Sequence, residues 1–238
     1  MKDYNSLLKY LEEEVAPNLL DEKMEPFPRQ GKDSIFACPW LNWRRSDAST
    51  DKIRGIFIMQ DWWCSSSNPE PLEKNVAYIS EKLFLKVNNP TLKVNDPTIG
   101  KLYNFDAWKK AIWDDKSWLV TNAVWGLRMG EISSGDLGAK IHKAAFPIWS
   151  QIIKHFADRD DFKVVFAGAW SASRNERKVW EGKALSDFLE SWKVWAGKGI
   201  GKNDEVSKLD FTDVNGNAYF CCHPSVRKIK FNCLEGPP

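Results

Sequence analysis

Four short apolar runs recur along this chain, and polar residues follow each at its C-terminal end. Residues 53–59 lead into Gln60-Asp61-Trp62-Trp63. Residues 118–120 lead into Thr121-Asn122. Residues 164–168 lead into Trp170-Ser171, and residues 219–222 into His223-Pro224-Ser225. Their length and β-branching predict strands buried on both faces. Helical periodicity lies between and before them. Leu7, Leu8, Leu11 and Val15 form one stripe over residues 2–15. Ile141, Ala144, Ala145, Ile148, Ile152 and Phe156 form another over 137–156, with Pro147 inside it as an expected kink. A third helix is predicted over 184–195. Residues 88–104 read as a long loop, and Asn215-Gly216 as a hairpin-type turn before the last strand.

Strands alternating with helices predict an α/β fold, with a mostly parallel sheet covered on both faces. Ligands of such sheets bind at the carboxyl ends of the strands. All four polar clusters fall there, so Asp61, Asn122, Ser171 and His223 are expected to share one cleft. No internal repeat or linker interrupts the pattern. A single domain over 1–238 follows, with an N-terminal helix and irregular extension in 1–50 and a core in 51–230.

Composition narrows the choice of partners. Thirty-four Lys and Arg against 32 Asp and Glu leave a net charge of +2, so nucleic-acid contact needs a local basic patch, not a global field. The 43% hydrophobic content suits a globular chain. No apolar run is long enough to span a bilayer, and Met1-Lys2-Asp3-Tyr4 has no signal-type core, so a cytoplasmic protein is expected. Five cysteines then read as reduced thiols, and with only three histidines no metal site is expected. The 13 tryptophans have two readings, a Trp-rich core or a surface that stacks flat ligands such as bases or sugars.

Asp61 can be a turn or cap residue, or a carboxylate held in an aromatic cleft against a water or a developing cation. His223 can be a hydrogen-bonded structural residue or an acid–base group. Asn122 can bridge loops or read a planar amide edge, having one acceptor and two donors.

Taken in order, Met59-Gln60-Asp61-Trp62-Trp63-Cys64, Val120-Thr121-Asn122-Ala123-Val124, Ser171 and His223-Pro224-Ser225-Val226-Arg227-Lys228 resemble the motifs of the uracil-DNA glycosylase superfamily. The resemblance runs from about residue 53 to 227 and leaves the first fifty residues uncovered. It implies a three-layer αβα fold with a central four-stranded parallel sheet. It also implies a monofunctional, cofactor-free hydrolase that cleaves the bond between a base and deoxyribose in DNA. By resemblance, Asp61 stabilises the sugar cation and positions water, and His223 donates to the departing base oxygen. Gln60, Trp62, Trp63 and Asn122 bind the base. Ser65, Ser171, Ser225, Arg227 and Lys228 hold DNA, with Lys230 extending the basic patch.

The departures from the family pattern surround the pocket. Trp62-Trp63 replaces Pro-Tyr, Cys64 replaces His, Met59 replaces the first Gly, and Trp170 replaces a Gly. Retained chemistry with an altered pocket leads to a modified or bulky pyrimidine as substrate. Glucosylated hydroxymethylcytosine of phage DNA is one example, with antiviral defence as the role. The alternatives are an ordinary uracil-excision repair enzyme and a non-catalytic DNA-binding protein on the same fold. A monomer is expected, because a duplex must reach an open cleft. Trp40, Trp62 and Phe84 are the candidates for stacking on the base.

Overall fold

The computed structural model describes residues 4–15, 24–26, 50–59, 62–63, 102, 105–123, 126–128, 138–168, 182–197, 208–221 and 236–238. Four of its strands are the four apolar runs: β2 (Gly55–Met59), β4 (Trp118–Asn122), β6 (Lys163–Ala167) and β8 (Asn217–Cys221). They lie side by side in the order β4-β2-β6-β8, all parallel. A fifth strand, β7 (Lys183–Ala184), pairs antiparallel with β8 at the edge. The sheet is therefore five-stranded and mixed, not four-stranded and parallel. Both residues of β7 are exposed, so no apolar signal marks it. Backbone bonds attach it to β8: the Gly182 N–H donates to Ala218 O (2.8 Å) and the Leu185 N–H to Gly216 O (2.9 Å).

Three more short strands form a separate sheet. In it β1 (Met24–Pro26) pairs antiparallel with β5 (Gly126–Arg128), and β5 pairs parallel with β3 (Trp62–Trp63).

The helices follow the predicted stripes. Helix α1 (Tyr4–Tyr10) widens into a π turn over Leu11–Val15, and buries Leu7, Leu8 and Leu11. The short α2 (Asp106–Lys109) continues as a π turn over Lys110–Asp114. Helix α3 (Gly138–Phe156) runs through Pro147 without ending there, and α4 spans Leu185–Gly197.

Strand alternation divides the interior in two. On one face, Ile56, Ile58, Leu119, Val164, Phe166, Ala218 and Phe220 pack with α1, α3 and α4. On the other, Phe57, Met59, Trp118, Val120, Val165, Ala167 and Cys221 pack with Leu102 and with Trp108, Ala111 and Ile112 of the α2 segment. Helical layers thus flank the sheet on both sides, and each large apolar side chain they bury is worth about 1.5–3 kcal/mol. Trp108 stands edge-on to Phe57 and Trp118, and Trp192 edge-on to Phe146 and Phe166. These tryptophans belong to the core. No helix among the described residues is long and apolar enough to cross a membrane.

The loop before β8 carries a small electrostatic device. Lys154 donates to Asp213 (2.8 Å), and this bond holds the Asp213 carboxyl below its ordinary value of 3.8. The Thr212 backbone N–H, followed by its hydroxyl, does the same for Asp210. A carboxyl that is more acidic folded than unfolded stabilises the fold above its unfolded pKa. That contribution disappears as pH falls through the folded value. Stability is therefore expected to decline on acidification past the ordinary aspartate value of 3.8. Solvent keeps the effect small. Urea midpoints across that range check it, and Lys154→Met should make the decline shallower.

Candidate active site

In the four-strand parallel array, the chain leaves β2 towards one side of the sheet, to β4. It then crosses to β6 on the other side of β2 and continues outward to β8. Connections from β2 and β6 therefore lead to opposite sides, the topology at which sheets of this kind form a ligand crevice at their carboxyl ends. Gln60 directly follows β2 in sequence, and Ser171 follows β6 after a short connection. Asn122 is the last residue of β4, and His223 is two residues beyond Cys221, the last of β8.

The rim itself is well tied. Met59 is in register with Asn122, and the Ala123 N–H donates to Met59 O (3.0 Å), so the ladder continues past the strand ends. On the β6–β8 side, the Gly168 N–H donates to Cys221 O (2.9 Å). Gly168 has φ +106°, a conformation open to glycine and costly for other residues. β6 can thus end in a sharp turn at the crevice with no side chain at that point.

One rim contact escaped the sequence reading. Trp149 of α3, fully buried, donates its indole N–H to Ala123 O at 2.6 Å. Ala123 is then held through its N–H by β2 and through its carbonyl by a helix in the layer beneath. This fixes the backbone next to Asn122. In sequence Trp149 is one more apolar member of a helical stripe. Its only signal is that tryptophan, unlike leucine, brings a donor that usually finds a partner when buried. Trp149→Phe keeps an aromatic ring but removes the pyrrole portion with its N–H, so Ala123 O loses this donor and a small cavity is left. A loss of about 1–3 kcal/mol in urea unfolding is the expected result.

Of the sequence-derived candidates, the structure describes three, and these as backbone. Asn122 ends β4 at the rim, while Trp62 and Trp63 form β3 of the small sheet. Gln60, Asp61, Ser65, Ser171, His223, Ser225, Arg227 and Lys228 lie outside the described residues. So do Lys230, Trp40, Phe84, Trp170 and most of the 88–104 segment. Among the described residues no group of three or more His, Cys, Asp or Glu could hold a metal ion. The carboxyls with shifted acidity, Asp210 and Asp213, precede β8 and so belong to the opposite end of the sheet. Compared with family models, with curated proteins and with solved structures, the chain matches none.

Proposed function

We propose that this protein is a DNA glycosylase. It hydrolyses the N-glycosidic bond of a pyrimidine flipped out of DNA and favours a modified or bulky base, such as glucosylated hydroxymethylcytosine. One observation carries the reading. The segments bearing Gln60-Asp61, Asn122, Ser171 and His223-Pro224-Ser225 follow four adjacent parallel strands, all at their carboxyl ends. The strands that precede the motifs are thus neighbours in one sheet, with their carboxyl ends on the same side.

The chemistry suits those side chains. The nucleotide leaves the stack at a cost of a few kcal/mol. As the C1′–N bond breaks, positive charge grows on the sugar and negative charge on the base. Asp61 stabilises the cation and orients a water, whose oxygen bonds to C1′. His223 donates a hydrogen bond to the departing base oxygen, and Asn122 reads the edge of the ring. The base leaves carrying one proton of the water, and the hydroxyl stays on the sugar. Ser65, Ser171, Ser225, Arg227 and Lys228 hold phosphates. Trp62 and Trp63 offer stacking surface to a base that carries a sugar. A cell with this enzyme would attack glucosylated phage genomes and spare its own DNA.

The test offers three DNAs side by side, with uracil, with unmodified cytosine and with glucosylated hydroxymethylcytosine, and identifies the freed bases by mass spectrometry. Release of the glucosylated base with little uracil is expected. Fast uracil release with the phage DNA untouched would make the protein a uracil-excision enzyme. DNA binding with no freed base and no abasic sites would make it a binder.

A further inference from the structure

Gln60 and Asp61 stand in sequence between two separately paired strands. Before them, β2 pairs with β4 through Met59 and Asn122. After them, β3 pairs with β5 through Trp62 and Leu127. The same two stretches of chain are therefore bonded to each other on both sides of Asp61. β5 is the middle strand of its sheet, and its other neighbour is β1. Two strands this short are not stable as a pair in water, and a third is needed to hold them. That third strand comes from the N-terminal extension, which the glycosylase resemblance does not cover. Pro26 suits its edge position, since an edge strand can forgo a donor.

We infer that β1 is a positioning strand for Asp61. By completing the small sheet it secures the Trp62 end of the Asp61 segment, while β2 secures the Met59 end. Both ends of the two-residue segment between β2 and β3 are then tied before substrate arrives, which lowers the free energy needed to order that segment during the reaction. The N-terminal extension is thus a working part of the site. The catalytic meaning of this inference rests on the glycosylase reading; its mechanical part does not.

Glu25→Pro tests it. The substitution removes the N–H in the middle of β1 and restricts its backbone, and it changes no residue of the candidate site. Hydrogen–deuterium exchange is followed on the full chain without DNA, together with thermal unfolding and steady-state base release. Exchange in peptides covering 60–64 and 126–128 should rise about tenfold or more, while β6, α3 and the unfolding midpoint stay as in the wild type. The kcat for base release should fall about tenfold with KM unchanged, and Glu25→Gln should behave as wild type. Unchanged exchange at 60–64 overturns the inference, and so does raised exchange with an unchanged kcat. A wild-type protein that frees no base from any DNA overturns the glycosylase reading instead. The exchange result then still decides whether β1 holds this segment.

Discussion

Replacing Asp61 with asparagine is expected to leave DNA binding intact and to slow base release by about a thousandfold or more. Asparagine keeps the size and one hydrogen-bonding oxygen, but it carries no charge. On the proposed glycosylase reading, a sugar with developing positive charge loses the anionic partner that Asp61 supplies, and the attacking water loses its acceptor. Both losses fall on the transition state and not on the bound ground state, so kcat drops while KM hardly changes. His223→Ala should cost less, about a hundredfold, because it removes a donor to the leaving base and not a full charge. Single-turnover base release with gel-shift binding separates the two effects. An asparagine variant as fast as the wild type would remove Asp61 from the mechanism and end the assignment.

The second large effect concerns the fold. Gly216→Ala should destabilise the protein by about 3–5 kcal/mol, read from urea unfolding. Gly216 has φ +91°, which is costly for any residue with a Cβ. A Cβ there would stand 2.0 Å from Phe162 O and 2.8 Å from its carbonyl carbon. That oxygen already accepts the Asn217 N–H at 3.0 Å, and Gly216's own carbonyl accepts the first N–H of α4 at 2.9 Å. The added methyl cannot be accommodated by a side chain swinging away, because its neighbour is backbone. Relief would require opening the β6–β8 ladder at its start, and β8 leads to His223. Base release should therefore fall along with stability. An alanine variant with an unchanged midpoint would mean that the turn relaxes at little cost.

Gly216 also illustrates what local sequence can and cannot say. Asn-Gly reads as a hairpin-type turn before a strand; the chain bends at Gly216, while the hydrogen-bonded turn lies just before, closed by the Val214 N–H on Phe211 O. The hairpin that such a turn usually joins is absent, because both partners of β8 arrive from far away: β6 in parallel and β7 across the length of α4. The four parallel strands were legible because burial on both faces leaves continuous apolar runs, as in Ile56-Phe57-Ile58-Met59. β7 was not legible, since both its residues are exposed and what holds it is backbone pairing with β8 and the Asn217 side-chain amide donating to Lys183 O. The strands β1, β3 and β5 are two or three residues long and have no period to read. For the site, the apolar runs mark four strands whose carboxyl ends lie on the same side of one sheet; of the polar clusters that follow them, Thr121, Asn122, Trp62 and Trp63 fall within the described residues. The Trp149 bond to Ala123 depends on how a helix docks over a strand exit. Nothing in the stripe of α3 distinguishes a packed indole from one that also donates.

The central place of β2 has a consequence for how the chain is made. Its second parallel neighbour, β6, lies roughly a hundred residues downstream, and its first, β4, more than half as far. A ribosome therefore releases Gly55–Met59 long before either lateral partner exists. During that interval an apolar ribbon with open amide and carbonyl groups is exposed to the cell. Such ribbons pair with one another, so yield in rapid overexpression should be limited by aggregation of nascent chains, and slower translation or a holdase chaperone should relieve it.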